Sequence, residues 1–108
     1  SPVSDGHTLV VPKAHYELMS EMPEDALSAA IMAVKQVSQG VLKAVGASSF
    51  NLYLNNGKEA GQLVPHFHWH IIPRHSADGL ELWHGGSYPE GKAAELKDKI
   101  AAAIVNAA

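Results

Sequence analysis

Apolar side chains recur along the chain in two rhythms, and each predicts its own kind of element. Residues 7–11 (His-Thr-Leu-Val-Val) are apolar and β-branched, bounded by Asp5-Gly6 and Pro12, which predicts a short buried strand. Over residues 23–45 the apolar positions Leu27, Ile31, Val34, Val37, Val41, Leu42 and Val45 recur at three- and four-residue steps. That period predicts an amphipathic helix with Pro23 in its first turn, Glu24 and Asp25 at its positive end and Gly46 as its C-terminal cap. Gly40 inside it weakens the helix by about 1 kcal/mol relative to alanine, which points to close packing or a local bend. Residues 50–54 alternate and run into the turn signal Asn55-Asn56-Gly57, predicting a second strand. Residues 64–72 are expected to form a third strand, ended by Pro73. Leu96, Ile100 and Ile104 at four-residue spacing amid alanines predict a C-terminal helix over residues 92–105. Strand, helix, strand, strand, helix is an α+β pattern.

The third strand carries the chemistry. In His66-Phe67-His68-Trp69-His70-Ile71-Ile72, strand geometry sends His66, His68 and His70 to one face and Phe67, Trp69 and Ile71 to the core. Neighbouring imidazoles would lie roughly 6 to 7 Å apart, a row along which a phosphate or short polyphosphate fits. Three imidazoles kept together for packing alone would be costly, since each ring needs hydrogen-bond partners and the protonated forms repel. Two chemistries compete for the row. His-x-His supplies two ligands to a metal, with His70 or His7 as a third, although rings at i, i+2 and i+4 fan out further than one metal centre allows. Alternatively, a neutral ring nitrogen attacks phosphorus, forming a phosphohistidine that water hydrolyses, while the flanking rings stabilise the phosphoryl oxygens and protonate the leaving group.

Composition narrows the field. The 108 residues suffice for a single domain, and 46% hydrophobic against 18% charged residues describes a folding chain. Absence of cysteine removes disulfides, thiolate metal sites and thiol nucleophiles, and fits a cytoplasmic location. Neither a signal-peptide pattern nor a membrane-length apolar run is present, so membrane association is not expected. A net charge of −3 without a basic block argues against nucleic acid as partner. Seven histidines are the outlier: protonating all of them would carry the charge from −3 to +4.

At these residues the sequence resembles the histidine triad (HIT) superfamily, whose signature is His-φ-His-φ-His-φ-φ with φ apolar; residues 66–72 satisfy every position. His7-Thr8-Leu9-Val10-Val11-Pro12-Lys13-Ala14-His15 resembles the family's His-x-Leu-Val-Ile-Pro-Lys-x-His segment. Residues 55–65, with Ala60-Gly61-Gln62, resemble the loop before the triad. The resemblance implies one α+β HIT-like domain over residues 1–108, with an antiparallel sheet, one long helix and a C-terminal helix. It further implies a homodimer acting on nucleoside phosphoramidates or dinucleoside polyphosphates with no essential metal or cofactor. By the same resemblance His68 is the nucleophile that becomes a nucleotidyl-histidine, and His66 orients it. His70 and His7 contact the α-phosphate, while Asn55, Gly61, Gln62 and Leu63 line it.

Two departures qualify this expectation. Leu63 stands where many members carry a serine or threonine hydroxyl that assists the leaving group. The family's β-hairpin and base-cradling side chains, which usually precede the stretch resembling residues 1–11, have no counterpart, so the domain reads as N-terminally short. These departures motivate the alternative of a nucleotide-binding module without turnover. Among the remaining candidates, Trp69 is expected in the core and Trp83 on a base or in solvent. Arg74 is expected as a solvated strand-end charge. His15, His75 and His84 are expected as surface residues.

Overall fold

The computed structural model describes residues 1–107, and these divide after Asp78 into two compact units, residues 1–78 and residues 79–107. The first holds strand β1 (Thr8–Val10), helix α1 (Glu24–Val45), strand β2 (Ser49–Leu54) and strand β3 (Trp69–Arg74). Single 3₁₀ turns lie at Met19–Glu21 and Lys58–Ala60. The second unit holds helix α2 (Lys92–Ala107), so the α+β arrangement is as the sequence predicts. The sheet has the order β1-β3-β2 and is antiparallel throughout, with Leu9 and Tyr53 both opposite His70, and Val10 and Leu54 both opposite Trp69.

Helix α1 starts after Pro23, whose φ of −62° and extended ψ suit the N-cap position, and carries Glu24 and Asp25 in its first turn. Gly46 closes it in the left-handed region, φ 70°, its N–H donating to the Leu42 carbonyl, as expected of a glycine cap. The buried stripe differs from the one the apolar spacing suggests. Ala30, Val34 and Ser38 are buried, whereas Ile31 and Val37 are exposed. The residues α1 buries are therefore small, and Ser38 is tolerated because its hydroxyl donates to the Lys35 carbonyl one turn back. Gly40 is a correction: nothing lies within 4 Å of the Cβ it would carry, so close packing does not account for it.

The larger correction concerns the third strand. Pairing begins at Trp69 rather than at residue 64, and Pro73 lies within β3 instead of ending it. Pro65 supplies no amide donor, the His66 N–H turns back to the Val64 carbonyl at 2.8 Å, and the Phe67 N–H leaves for the Tyr16 carbonyl at 2.6 Å. Those bonds make residues 64–67 a tight turn. Pro73 is accommodated because β1 stops pairing at Ile71, leaving β2 as its sole strand neighbour, an edge-like position where a missing N–H is tolerated.

The predicted alternation nonetheless survives the irregular start. Phe67 and Ile71 are fully buried, and Trp69 meets Phe67 edge-on with centroids 5.7 Å apart. Met22, Ala30 and Phe67 form a core cluster against which Tyr16, Ala26, Leu27, Leu54 and Trp69 pack. In the second unit α2 carries Leu96, Ile100 and Ile104 on one stripe and a Glu95–Lys99 ion pair at 3.0 Å on another. Among the described residues no helix is long and apolar enough to cross a membrane.

Candidate active site

Strand β3 fixes His70 by its backbone, opposite Leu9 on one side and Tyr53 on the other. The turn before it delivers His66 and His68. From β1's leading end His7 reaches across, its Nε2 lying 2.9 Å from His70 Nδ1. The rings of His68 and His70 meet edge-on with centroids 4.8 Å apart, closer than an ideal strand would place them because His68 precedes the paired segment. His66 leaves the row: its ring packs edge-on against His15 at 4.8 Å. Four histidines thus form two contacts, His7 with His70 and His15 with His66, and His68 adjoins the first.

The hydrogen bonds fix which nitrogen of each neutral ring carries the proton. His68 Nδ1 lies 2.7 Å from the His66 carbonyl, which can only accept, so Nδ1 holds the hydrogen and Nε2 keeps a free lone pair. His7 Nδ1 accepts the Val3 N–H at 3.0 Å, so its Nε2–H donates to His70 Nδ1, leaving His70 with an Nε2–H. His66 Nε2 donates to the Pro12 carbonyl at 3.0 Å, and its Nδ1 accepts from His15 Nδ1–H at 3.1 Å. Burial holds the His70 pKa below the ordinary 6.5, with further lowering from the neighbouring His68 and His7. A bare nitrogen on His68 therefore stands beside a neutral N–H donor on His70. An open hollow of about 300 Å³ is lined by Ser1, Pro2, His7, Leu9 and His70.

The loop residues named from sequence fare differently. Gly61, φ 91°, lies against Asn55, its would-be Cβ 3.7 Å from the Asn55 amide nitrogen. Gln62 has both ends of its amide engaged, Oε1 accepting from Gly57 N–H at 2.8 Å and Nε2 donating to the Glu17 carbonyl at 2.7 Å. Leu63 is 90% exposed. Asn56, which sequence reasoning passed over, braces the same loop by accepting the Met19 N–H at 2.8 Å.

Arg74 is not the solvated charge expected. It pairs with Asp78 at 2.8 Å and donates to Asn51 Oδ1 at 2.6 Å, and the Asp78 bond is the main reason its pKa rises. His75 and His84 are exposed, as is Trp83. His15 is exposed, as expected, and in addition its ring meets that of His66; its place at the end of the His7-to-His15 segment was the available signal for that contact. Among the described residues no cluster of three or more His, Cys, Asp or Glu is arranged to hold a metal ion.

A histidine from an antiparallel sheet, two more from the turn that leads into it, and a long helix are the arrangement of a histidine triad protein. The HIT domain model matches residues 1–77, and the chain belongs to the HIT family. An uncharacterised HIT-like protein of Methanocaldococcus jannaschii is 52% identical over 79 residues, 73% of this chain and 60% of that protein. An adenylylsulfatase of Arabidopsis thaliana is 45% identical over 80 residues, 74% of this chain and 41% of that protein. An adenosine 5′-monophosphoramidase of Schizosaccharomyces pombe is 40% identical over 74 residues, 68% of this chain and 53% of that protein. The match thus spans between 41% and 60% of these relatives' lengths. Among solved structures, a Streptococcus mutans protein superposes with a TM-score of 0.86 at 29% identity, covering 94% of this chain and 65% of that one.

Proposed function

We propose that the protein is a nucleotide hydrolase or transferase that cleaves at an α-phosphate through a nucleotidyl-histidine on His68. The observation that carries this is the 2.7 Å bond from His68 Nδ1–H to the His66 carbonyl, which leaves the Nε2 lone pair free beside His70. In this reading Nε2 forms a bond to phosphorus as the bond to the leaving group breaks. The positive charge arising on the His68 ring is shared with the His66 carbonyl through Nδ1–H. The leaving group takes a proton from solvent, and that proton is returned when water attacks phosphorus, breaks the N–P bond and restores neutral His68.

His70, neutral and carrying Nε2–H, stabilises the phosphoryl oxygens, and His7 holds it in that form. In the same reading Asn55, Gly61 and Leu63 border the phosphate, and Gln62 braces their loop through its bonds to Gly57 and Glu17. The chemistry draws on imidazoles alone. Relatives named adenylylsulfatase and adenosine 5′-monophosphoramidase support a nucleotide substrate. The reading extends to one HIT-like domain over residues 1–108, a homodimer and a cytoplasmic location.

Incubation with an adenosine phosphoramidate and with diadenosine polyphosphates, followed by product analysis, tests it. Wild type is expected to release a nucleoside monophosphate and His68→Ala to lose turnover by at least about a thousandfold. Nucleotide binding without turnover by wild type would replace the enzyme with a binding module, the outcome to which the hydroxyl-free Leu63 points.

A further inference from the structure

The proposed chemistry uses His66, His68, His70 and His7 and leaves His15 unassigned, yet His15 makes one of the two side-chain bonds between histidines. We infer that His15 is a positioning residue for His68, acting through His66. His66 is held at both ring nitrogens: Nε2–H donates to the Pro12 carbonyl at 3.0 Å, and Nδ1 accepts from His15 Nδ1–H at 3.1 Å. The carbonyl of that same residue fixes the His68 tautomer. The amide of the 66–67 peptide is pinned as well, the Phe67 N–H donating at 2.6 Å to the carbonyl of Tyr16, the residue after His15. The pair His15-Tyr16 therefore grips the His66 ring with a side chain and the adjoining peptide plane with a carbonyl. That plane carries the acceptor that keeps the proton on His68 Nδ1.

Without the His15 donor, His66 Nδ1 loses its protein partner. The ring is then free to exchange tautomers, and a proton moved to Nδ1 would cost the Pro12 bond. The ring and the plane attached to it lose one of their restraints, and His68 loses alignment rather than substrate contact. This signature separates positioning from substrate binding: kcat falls while KM holds.

The test uses the full chain, labelled with ¹⁵N, at neutral pH. Long-range ¹H–¹⁵N correlations report the tautomer of each ring. Wild type should show Nδ1–H on His15 and His68 and Nε2–H on His66. His15→Ala should replace the single pattern of His66 with an average of two. His15→Asn, whose amide nitrogen occupies the place of Nδ1, should restore it, and His15→Gln, whose amide reaches the place of Nε2, should not. This arm needs no turnover, so it stands apart from the proposed reaction, on which only the kinetic arm rests. There His15→Ala should lower kcat about tenfold with KM changed less than about twofold, and His15→Asn should recover most of the loss. Either Nε2–H on His15 in wild type or an unchanged His66 pattern in His15→Ala overturns the inference. A wild type without turnover overturns the reaction, and the tautomer arm still decides His15.

Discussion

Each imidazole at the site has a proton position dictated by a backbone group at the end of a short chain of bonds. The Val3 amide acts through His7 on His70, the Pro12 carbonyl acts on His66, and the His66 carbonyl acts on His68. This arrangement makes His70 sensitive to acid. Its Nδ1 accepts from His7, so protonating it would set two donors face to face. Burial and the neighbouring rings already hold its pKa below 6.5. Because the unfolded chain takes up this proton at higher pH than the folded one, the neutral ring's contribution is complete above pH 6.5 and declines as pH falls through the lowered value. Urea unfolding midpoints of wild type should therefore drop on acidification below pH 6.5, and His70→Gln should flatten part of that slope. Equal slopes in the two proteins would show that His70 is not held neutral.

At the scale of elements, the pattern of apolar positions located both helices and two strands to within two residues at each end, because their periods are long enough to be unambiguous. It misplaced the start of β3. An alternating run reads as strand from its first histidine; Pro65, which has no N–H to pair, is a local sign against it, whereas the Tyr16 carbonyl that takes the Phe67 N–H lies far off in sequence, where no local pattern shows it. The same limit applies to glycines. Gly40, mid-helix, looks as though it were kept for packing and faces open space, while Gly6 looks like an ordinary turn residue and is tightly enclosed. A Cβ at Gly6 would lie 2.8 Å from Val45 Cγ1 and 3.2 Å from Pro73 Cγ, and its φ of 85° is one that side chains resist. Gly6→Ala should cost roughly 2 to 4 kcal/mol from strain and overpacking together. Gly40→Ala should instead stabilise by about 0.5 to 1 kcal/mol. Urea unfolding of both variants checks the opposite signs; a Gly6→Ala that is not destabilised would refute the packing assigned to Gly6, and a destabilised Gly40→Ala would refute the open space assigned to Gly40.

For the whole molecule, the sheet order β1-β3-β2 leaves β1 and β2 with one unpaired edge each among the described residues. The two edges differ in how well they resist pairing. β1 is three residues long and Pro12 follows closely, so it offers little ladder to a neighbour. β2 runs six residues, Ser-Phe-Asn-Leu-Tyr-Leu, without a charge or a proline, and Phe50 and Leu52 are each 37% exposed on it. Edges of that kind associate unless something covers them. A second copy meeting β2 antiparallel across a two-fold axis pairs that edge with itself, which is the closed solution open to identical chains. Multi-angle light scattering should accordingly give twice the mass of one chain. Phe50→Lys, which places a charge on that edge, should shift the population towards monomer with β3 and the histidine contacts intact. A wild type that is monodisperse at the mass of one chain would refute the pairing and would leave the proposed chemistry to a site completed within a single copy.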